Sequence, residues 1–424
     1  MISSTTRSSQ IRSGPERWRL YRHLGVVWTL ALAATLAHAH GEADDPLPAE
    51  PGTVAVEAAA ALRHLRAEQV LPSARLDGFL LQGDTGDDPS GSRLEHGTLG
   101  LSWRATQNLG GQWVVGKHGN ESAHVEAAWL QWRHDTDEDS AWLFNLGRQT
   151  PAMGGVLAGA GHLDRFGLRP LAQRMALDHD WIDDGLQLGW RGRPRGGELA
   201  LDAGVWRGKA FPGARDGRPV PSLHLGWRSE AWALDGIWAR FQPLGRGTSI
   251  AGAAGHSHTA PVCNAALVEV ACFTGSTELT GGSVRWSGRE ASPSWPWTFT
   301  AAGWLRQDRG SLESANGLAR YDGRNQGGWL EAIWHVNPRW ELGWRGESLG
   351  AHHALQGPGA AMLVRETRLD RYRSATRHAL MLGYRPVAWA SLHLEAGRES
   401  VAGTRAGFIA LRLVMTTQHF LTTP

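Results

Sequence analysis

From residue 75 to the C-terminal region, apolar and polar side chains alternate with a period of two. In GLQLGWRG (185–192), Leu186, Leu188 and Trp190 share one face, and Gly185, Gln187, Gly189 and Arg191 share the other. In PSLHLGWR (221–228), Leu223, Leu225 and Trp227 oppose Ser222, His224, Gly226 and Arg228. The cadence predicts sixteen strands, near 75–83, 96–106, 112–118, 124–133, 141–149, 183–192, 198–207, 221–229, 231–241, 278–287, 296–306, 326–336, 340–349, 373–385, 388–399 and 405–417. Most approach the roughly ten residues of a tilted membrane strand. Ahead of them, VAVEAAAALRHLRAEQ (54–69) is rich in helix formers, with Thr53 as N-cap and Pro72 as stop. It predicts a short periplasmic helix within a leader at 40–72.

The connections point to architecture. Short links at 107–111, 193–197, 229–230, 337–339 and 385–388 alternate with long ones at 150–182, 208–220, 242–277, 307–325 and 350–372. Tight turns on one side and long loops on the other are the asymmetry of an outer-membrane barrel. The fold class read from the chain is therefore all-β: a transmembrane antiparallel β-barrel of about 16 strands spanning 73–424, preceded by that short N-terminal helix. A soluble secreted sandwich or propeller would alternate too, but its solvent face would be richly charged. Here that face carries Gly, Ser, Thr and Gln with isolated Arg and Glu.

Composition supports a membrane setting. Tryptophan, at 22, outnumbers phenylalanine at 9 and tyrosine at 4, and interfaces favour such rings. Arg12, Arg17, Arg19 and Arg22 precede an apolar run from Leu24 to Leu36 and then Ala-His-Ala, which predicts a signal peptide cleaved after Ala39 and export to the outer membrane of a Gram-negative bacterium. Its removal takes five arginines and Glu16 from a chain of net charge +2, leaving −2. A near-neutral mature chain gives no reason to expect nucleic acid as a partner. The partners expected are the lipid bilayer and small hydrophilic solutes or ions.

Two cysteines in an exported chain, Cys263 and Cys272, predict one local disulfide. His256 with His258, and His352 with His353, on outer loops would suit copper or zinc, but HxH without further spaced ligands defines no metal site. No metal and no cofactor is expected. GAGHLDRFG (159–167) lacks the glycine spacing of a dinucleotide site. Barrel proteases and phospholipases raise His179-Asp180 and His134-Asp135 as dyads, yet neighbours along a strand point to opposite faces, so no enzyme is expected. Too few residues precede the strands for the plug of a TonB-dependent transporter.

At GRQTPAMGG (147–155), after the strand WLFNLG, the chain resembles Gram-negative outer-membrane porins, closest to the phosphate-selective porin O and P family. The resemblance implies a sixteen-stranded barrel, commonly a homotrimer, whose third loop folds into the lumen as a constriction. The link at 150–182 stands in that position. Two departures are plain. Lys117 and Lys209 are the only lysines, too few for the lysine-rich constriction of phosphate selectivity, and the chain ends HFLTTP without the usual terminal aromatic, with Phe420 nearby.

A pore takes its selectivity from charged side chains near its narrowest part. In the 150–182 segment and at the entry to the strand after it, the expected pore-lining residues are Asp164, Arg165, Arg169, Arg174, Asp178, Asp180 and Asp183. Alternation places Arg104, Arg191, Arg228, Arg306, Arg345 and Arg412, with Asp202, Glu341 and Glu395, on the inner wall. The arginines slightly outnumber the acids, which favours anions weakly. The function expected is a porin passing small hydrophilic solutes by diffusion. The alternative is a barrel for metal-ion or other specific nutrient uptake.

Overall fold

The computed structural model describes residues 47–81, 90–119, 122–160, 163–178, 180–194, 196–250, 263, 267, 269–288 and 295–422. The expected signal peptide, His179 and the pair His256 and His258 lie outside them. No helix among the described residues is long and apolar enough to cross a membrane.

Among the described residues the chain forms seventeen strands: β1 (Thr53–Ala67), β2 (Gly91–Arg104), β3 (Leu109–His118), β4 (His124–Asp137), β5 (Ser140–Gln149), β6 (Asp183–Gly192), β7 (Glu198–Trp206), β8 (Val220–Arg228), β9 (Trp232–Phe241), β10 (Arg246–Ser249), β11 (Val270–Ser287), β12 (Trp297–Ser314), β13 (Gly317–His335), β14 (Trp340–Gln356), β15 (Tyr372–Val387), β16 (Ala390–Val401) and β17 (Thr404–Thr422). Sixteen of them close an antiparallel barrel, because β1 pairs with both β17 and β2 and β11 pairs with both β9 and β12. The remaining strand, β10, pairs with β11 alone, beyond the end of β9. Closure leaves none of the sixteen barrel strands at a sheet edge, the condition for crossing hydrocarbon with sheet.

Three expectations are corrected. The stretch expected to be an N-terminal helix is β1, so the barrel starts at Thr53, well before residue 73. Alanine's helix preference amounts to tenths of a kcal/mol per residue, whereas β1 pairs along its whole length with β17 and over thirteen positions with β2. Residues 75–83, expected as the first strand, instead follow a short 3-10 turn (Pro72–Ala74), and Leu76, Phe79, Leu80 and Leu81 are buried inside the barrel. The link at 307–325 is not a loop: β12 and β13 run on as 18- and 19-residue strands, with only residues 315 and 316 between them.

Outside, the alternating apolar face is bare. Leu223, Leu225, Leu330 and Leu380 are each more than half exposed, a pattern that would be costly in water and suits lipid. At the short-turn end the aromatics stack into a girdle: Trp232 on Trp286, Trp286 on Phe299, Phe299 on Trp297, Trp297 on Trp334, and Trp340 on Tyr384.

Inside, the 150–182 segment carries two short helices, α1 (Gly155–Gly159) and α2 (Leu171–Leu177). α2 packs on the inner faces of β12, β13, β14 and β15. Trp181 is fully buried against Trp206 and Phe241. A third helix, α3 (Ala360–Thr367), follows β14 and rests on β12 to β14.

Candidate functional site

The inner wall has two unlike halves. From β12 to β17 and into β1, inward positions carry charge that alternates across neighbouring strands. Glu399 faces Arg377, which faces Glu347, and Arg345 faces Glu331 one level away. Arg345 Nε lies 3.0 Å from Glu347, and Arg377 Nη2 lies 2.9 Å from Glu399. Arg345, Arg377, Glu347, Glu395 and Glu399 are all buried. Bare charges in such a place would be expensive, and they persist because partners and hydrogen bonds surround them.

Many of those hydrogen bonds come from the backbone of the infolded segment. Arginines take its carbonyls: Arg63 from Gly167 at 2.7 Å, Arg345 from Leu168, Arg377 from Arg169 at 2.9 Å, Arg412 from Asp164 and Arg306 from Met175. Glutamates take its amides, as the Gly167 N–H donates to Glu395 and the Leu171 N–H to Glu347, both at 2.7 Å. Backbone without a ladder of its own is tolerated inside a barrel only when satisfied in this way.

From β3 to β6 the inward positions mix amides with apolar residues such as Val114, Trp129 and Leu143. Gln131 faces Asn145, and Asn145 faces Gln187. Together with Gln112, Gln149 and the infolded segment they border an open cavity of about 420 Å³. One charged belt crosses this side: Arg191 to Asp202 at 3.1 Å, Asp202 to His224 at 3.0 Å, and His224 to Asp235 at 3.1 Å. Gln187 ties the segment's entry to this wall, accepting from the Ala152 N–H at 3.0 Å and donating to Asp202 at 3.2 Å. Gly154, at φ +81°, passes so close to Asp235 that a Cβ would fall 2.0 Å from its carboxyl carbon.

The residues expected to line the pore separate into paired groups. Asp164 bridges Arg345 at 3.2 Å and Arg165 bridges Glu341 at 3.2 Å. Although burial opposes the Arg165 charge, Glu341, Asp164 and Glu331 outweigh it and raise the guanidinium's pKa. Arg174 is bound by the carbonyls of Ser73 and Ala74, with Asp178 at 3.9 Å, and burial lowers its pKa. Asp183 is not at the open lumen: its carboxylate accepts from the N–H groups of Asp184, Gly208 and Lys209 and is 3% exposed. Asp178 is likewise buried. Of the seven, Asp180 alone borders the 420 Å³ cavity, where Arg169 grips it with two contacts of 2.9 and 3.2 Å.

On the wall, alternation assigns the facing of Arg104, Arg191, Arg228, Arg306, Arg345, Arg412, Glu341 and Glu395, yet only Arg191 and Arg228 border that cavity. Arg104 is buried at the short-turn end, donating to Pro48 O, and Arg306 is buried on Asp308. Arg412 holds Glu95 at 2.6 Å. Arg165, Glu341 and His393 border a second, smaller cavity at the short-turn end. Cys263 and Cys272 are joined by a disulfide.

Residues absent from the sequence expectation also converge here. Glu95 is the extra residue of a β-bulge in β2, and Glu126 of another in β4, so both turn inward beside neighbours that already face inward. Glu126 meets His96 and His118 near the end of the short outer link. The phrase HGNESAHVE (118–126) carries the only linear trace of that meeting.

No family model and no curated sequence matches the chain. The resemblance to the porin O and P group therefore rests on GRQTPAMGG and the strand cadence. Among solved structures, the chain is similar to the in-vitro folded outer membrane protein OmpT of Vibrio cholerae in its trimer form, with 11% identity, a TM-score of 0.53, and coverage of 87% of this chain and 100% of that one. The outer-membrane-expressed form of OmpT gives 12%, 0.50, 87% and 99%. The outer membrane channel DcaP of Acinetobacter baumannii gives 9%, 0.47, 86% and 97%. At such identities the likeness is one of fold: a closed 16-strand barrel of the outer-membrane kind.

Proposed function

We propose that the protein is an outer-membrane porin through which small hydrophilic solutes diffuse passively, narrowed by the 150–182 segment. The observation that carries this reading is the asymmetric filling of the lumen. The segment is bound to the charged wall and leaves an open cavity on the other side, where Gln112, Gln131, Asn145, Gln149 and Gln187 offer their amides among apolar neighbours such as Val114, Trp129 and Leu143. Amides and water exchange hydrogen bonds at little cost, so such a wall passes polar solutes without trapping them. The lipid-suited outer face and aromatic girdle support insertion in the outer membrane, reached through the signal peptide at 1–39.

Selectivity in this reading is weak. Arg191 and Arg228 border the cavity against Asp180 and Glu126, and with Asp180 held by Arg169 the proposed preference for anions is slight. Assembly as a homotrimer is supported by the trimer form of the similar OmpT chain. We assign no catalysis. Asp180 is occupied by Arg169, and His134 stacks on Trp132 at the outer face while Asp135 binds Arg133.

Planar-bilayer recording tests the proposal. The refolded protein is expected to give discrete conductance steps and a small reversal potential of anion-selective sign in a salt gradient. Absence of steps from a protein that shows heat-modifiable migration would rule the porin reading out.

A further inference from the structure

The cluster built on Glu126 has a function that diffusion does not need. His96 and His118 are direct register partners across β2 and β3. Both Nε2 atoms point at one oxygen, Glu126 Oε1, at 3.1 and 3.0 Å, and the ligand-capable atoms of the three residues lie within 4.8 Å of one another. His124, the first residue of β4, brings its Nε2 to 3.9 Å of the same oxygen. The three rings meet edge to face in sequence, His96 on His118 at 4.4 Å and His118 on His124 at 5.4 Å.

Two backbone features build this arrangement. The bulge in β4 places Glu126 opposite no residue of β3 and turns it inward together with Ala127. Gly116 then supplies the room. A Cβ on Gly116 would fall 1.7 Å from Glu126 Oε1, so the carboxylate occupies the space a side chain would fill. The cluster is therefore specified by one irregularity and one glycine as well as by its four polar residues.

The donor set and spacing suit a metal ion. Zinc takes nitrogen and carboxylate oxygen at about 2.0–2.2 Å in a tetrahedron, which sets ligand atoms about 3.3 Å apart. The nitrogen–oxygen spacings here are already close to that. Two histidines and one glutamate leave a fourth position, which His124 or water completes. His124 Nδ1 lies 3.3 Å from the Ser122 carbonyl, the outer contact that turns the opposite nitrogen of such a ring toward a metal. His96 and Glu126 border the open cavity, so an ion reaches the cluster from the lumen.

We propose that His96, His118 and Glu126 bind a divalent transition-metal ion of the zinc class on the lumen wall, with His124 at hand as fourth ligand. The ion replaces the His96 hydrogen bond and the His118 contact at Glu126 and turns a negative spot on the wall into a positive one. Its role in flux rests on the porin reading; its binding does not.

The test is metal retention by the full mature chain, purified in detergent without a polyhistidine tag. After incubation with zinc chloride and desalting, elemental analysis is expected to find about one zinc per chain, and titration calorimetry a single tight site. The H96N/H118N double variant is expected to lose that zinc, and Glu126→Gln to weaken it at least about tenfold. Gly116→Ala keeps every ligand yet displaces the carboxylate, and is expected to weaken binding as well. Heat-modifiable migration verifies that each variant is a folded barrel. Wild-type protein that holds less than a tenth of an equivalent, or a folded double variant that holds as much as wild type, overturns the proposal. A protein that retains zinc but gives no conductance steps would overturn the porin reading and leave the site standing.

Discussion

Along β14 to β17 the inward positions carry Arg345, Glu347, Arg377, Glu395, Glu399 and Arg412, whereas along β3 to β6 they carry Gln112, Gln131, Asn145 and Gln187. Both walls obey the same two-residue alternation, and both face the same lumen. The difference lies in what covers them. Charge is concentrated where the infolded segment presents unladdered carbonyls and amides, and each sign of charge meets the backbone group it can satisfy. Where the lumen stays open, amides and apolar side chains outnumber the few charged residues, Glu126, Asp180, Arg191 and Arg228. The arginine excess visible in the sequence is thus largely a device for holding a loop, and the pore keeps only a remnant of it at Arg191 and Arg228.

If the charged wall anchors the segment, its central arginine is the place to break the contrast. Arg345 contacts Asp164, Glu331 and Glu347 and donates to Leu168 O. Arg345→Ala leaves three carboxylates clustered without their shared cation, and is expected to destabilise the barrel by about 3–5 kcal/mol. Urea unfolding followed by tryptophan fluorescence measures this. Conductance of the surviving folded fraction is expected to rise, as the segment is released from the wall.

The apolar anchor is the next target. Trp181 is fully buried among Trp206, Phe241 and their neighbours, and Trp181→Ala is expected to cost about 3 kcal/mol through the cavity left behind. The same urea titration reads it. On the amide wall, Gln187→Ala removes the tie to Ala152 and is expected to cost only about 1 kcal/mol. Equal losses at Gln187 and Arg345 would mean that both walls hold the segment, and the contrast between them would fail.

Fifteen of the sixteen expected runs overlap barrel strands because Leu, Val and Trp alternate visibly with Gly, Ser and Gln. The sixteenth failed for a physical reason on each side. In β1, small alanines occupy both faces, so Ala55 and Ala61 inside cannot be told from Ala58 and Ala60 outside, and only pairing with the distant β17 decides the matter. Leu76, Phe79, Leu80 and Leu81 are apolar because they pack inside the lumen, which looks like a strand in one dimension. Facing was legible for Arg306 and Arg345, but pairing was not, since Arg345 meets Asp164 across 181 positions. The bulges at Glu95 and Glu126 break parity, and parity was the only rule available for those positions.

The smallest expected effect on stability tests the cavity directly. Asp180 is the charged residue of the segment at the open side, and Arg169 holds both its oxygens. Asp180→Asn keeps the shape and one acceptor oxygen, so folding is expected to change by less than about 1 kcal/mol. The charge change is another matter. The substitution takes one negative charge from the cavity that Arg191 and Arg228 also border, which shifts the local field toward positive. Reversal potentials in a potassium chloride gradient are therefore expected to move toward greater anion preference, while the amide row at Gln131, Asn145 and Gln187 leaves single-channel conductance nearly unchanged. An unaltered reversal potential would mean that ions pass out of reach of the 150–182 segment, and the amide wall alone would define the path.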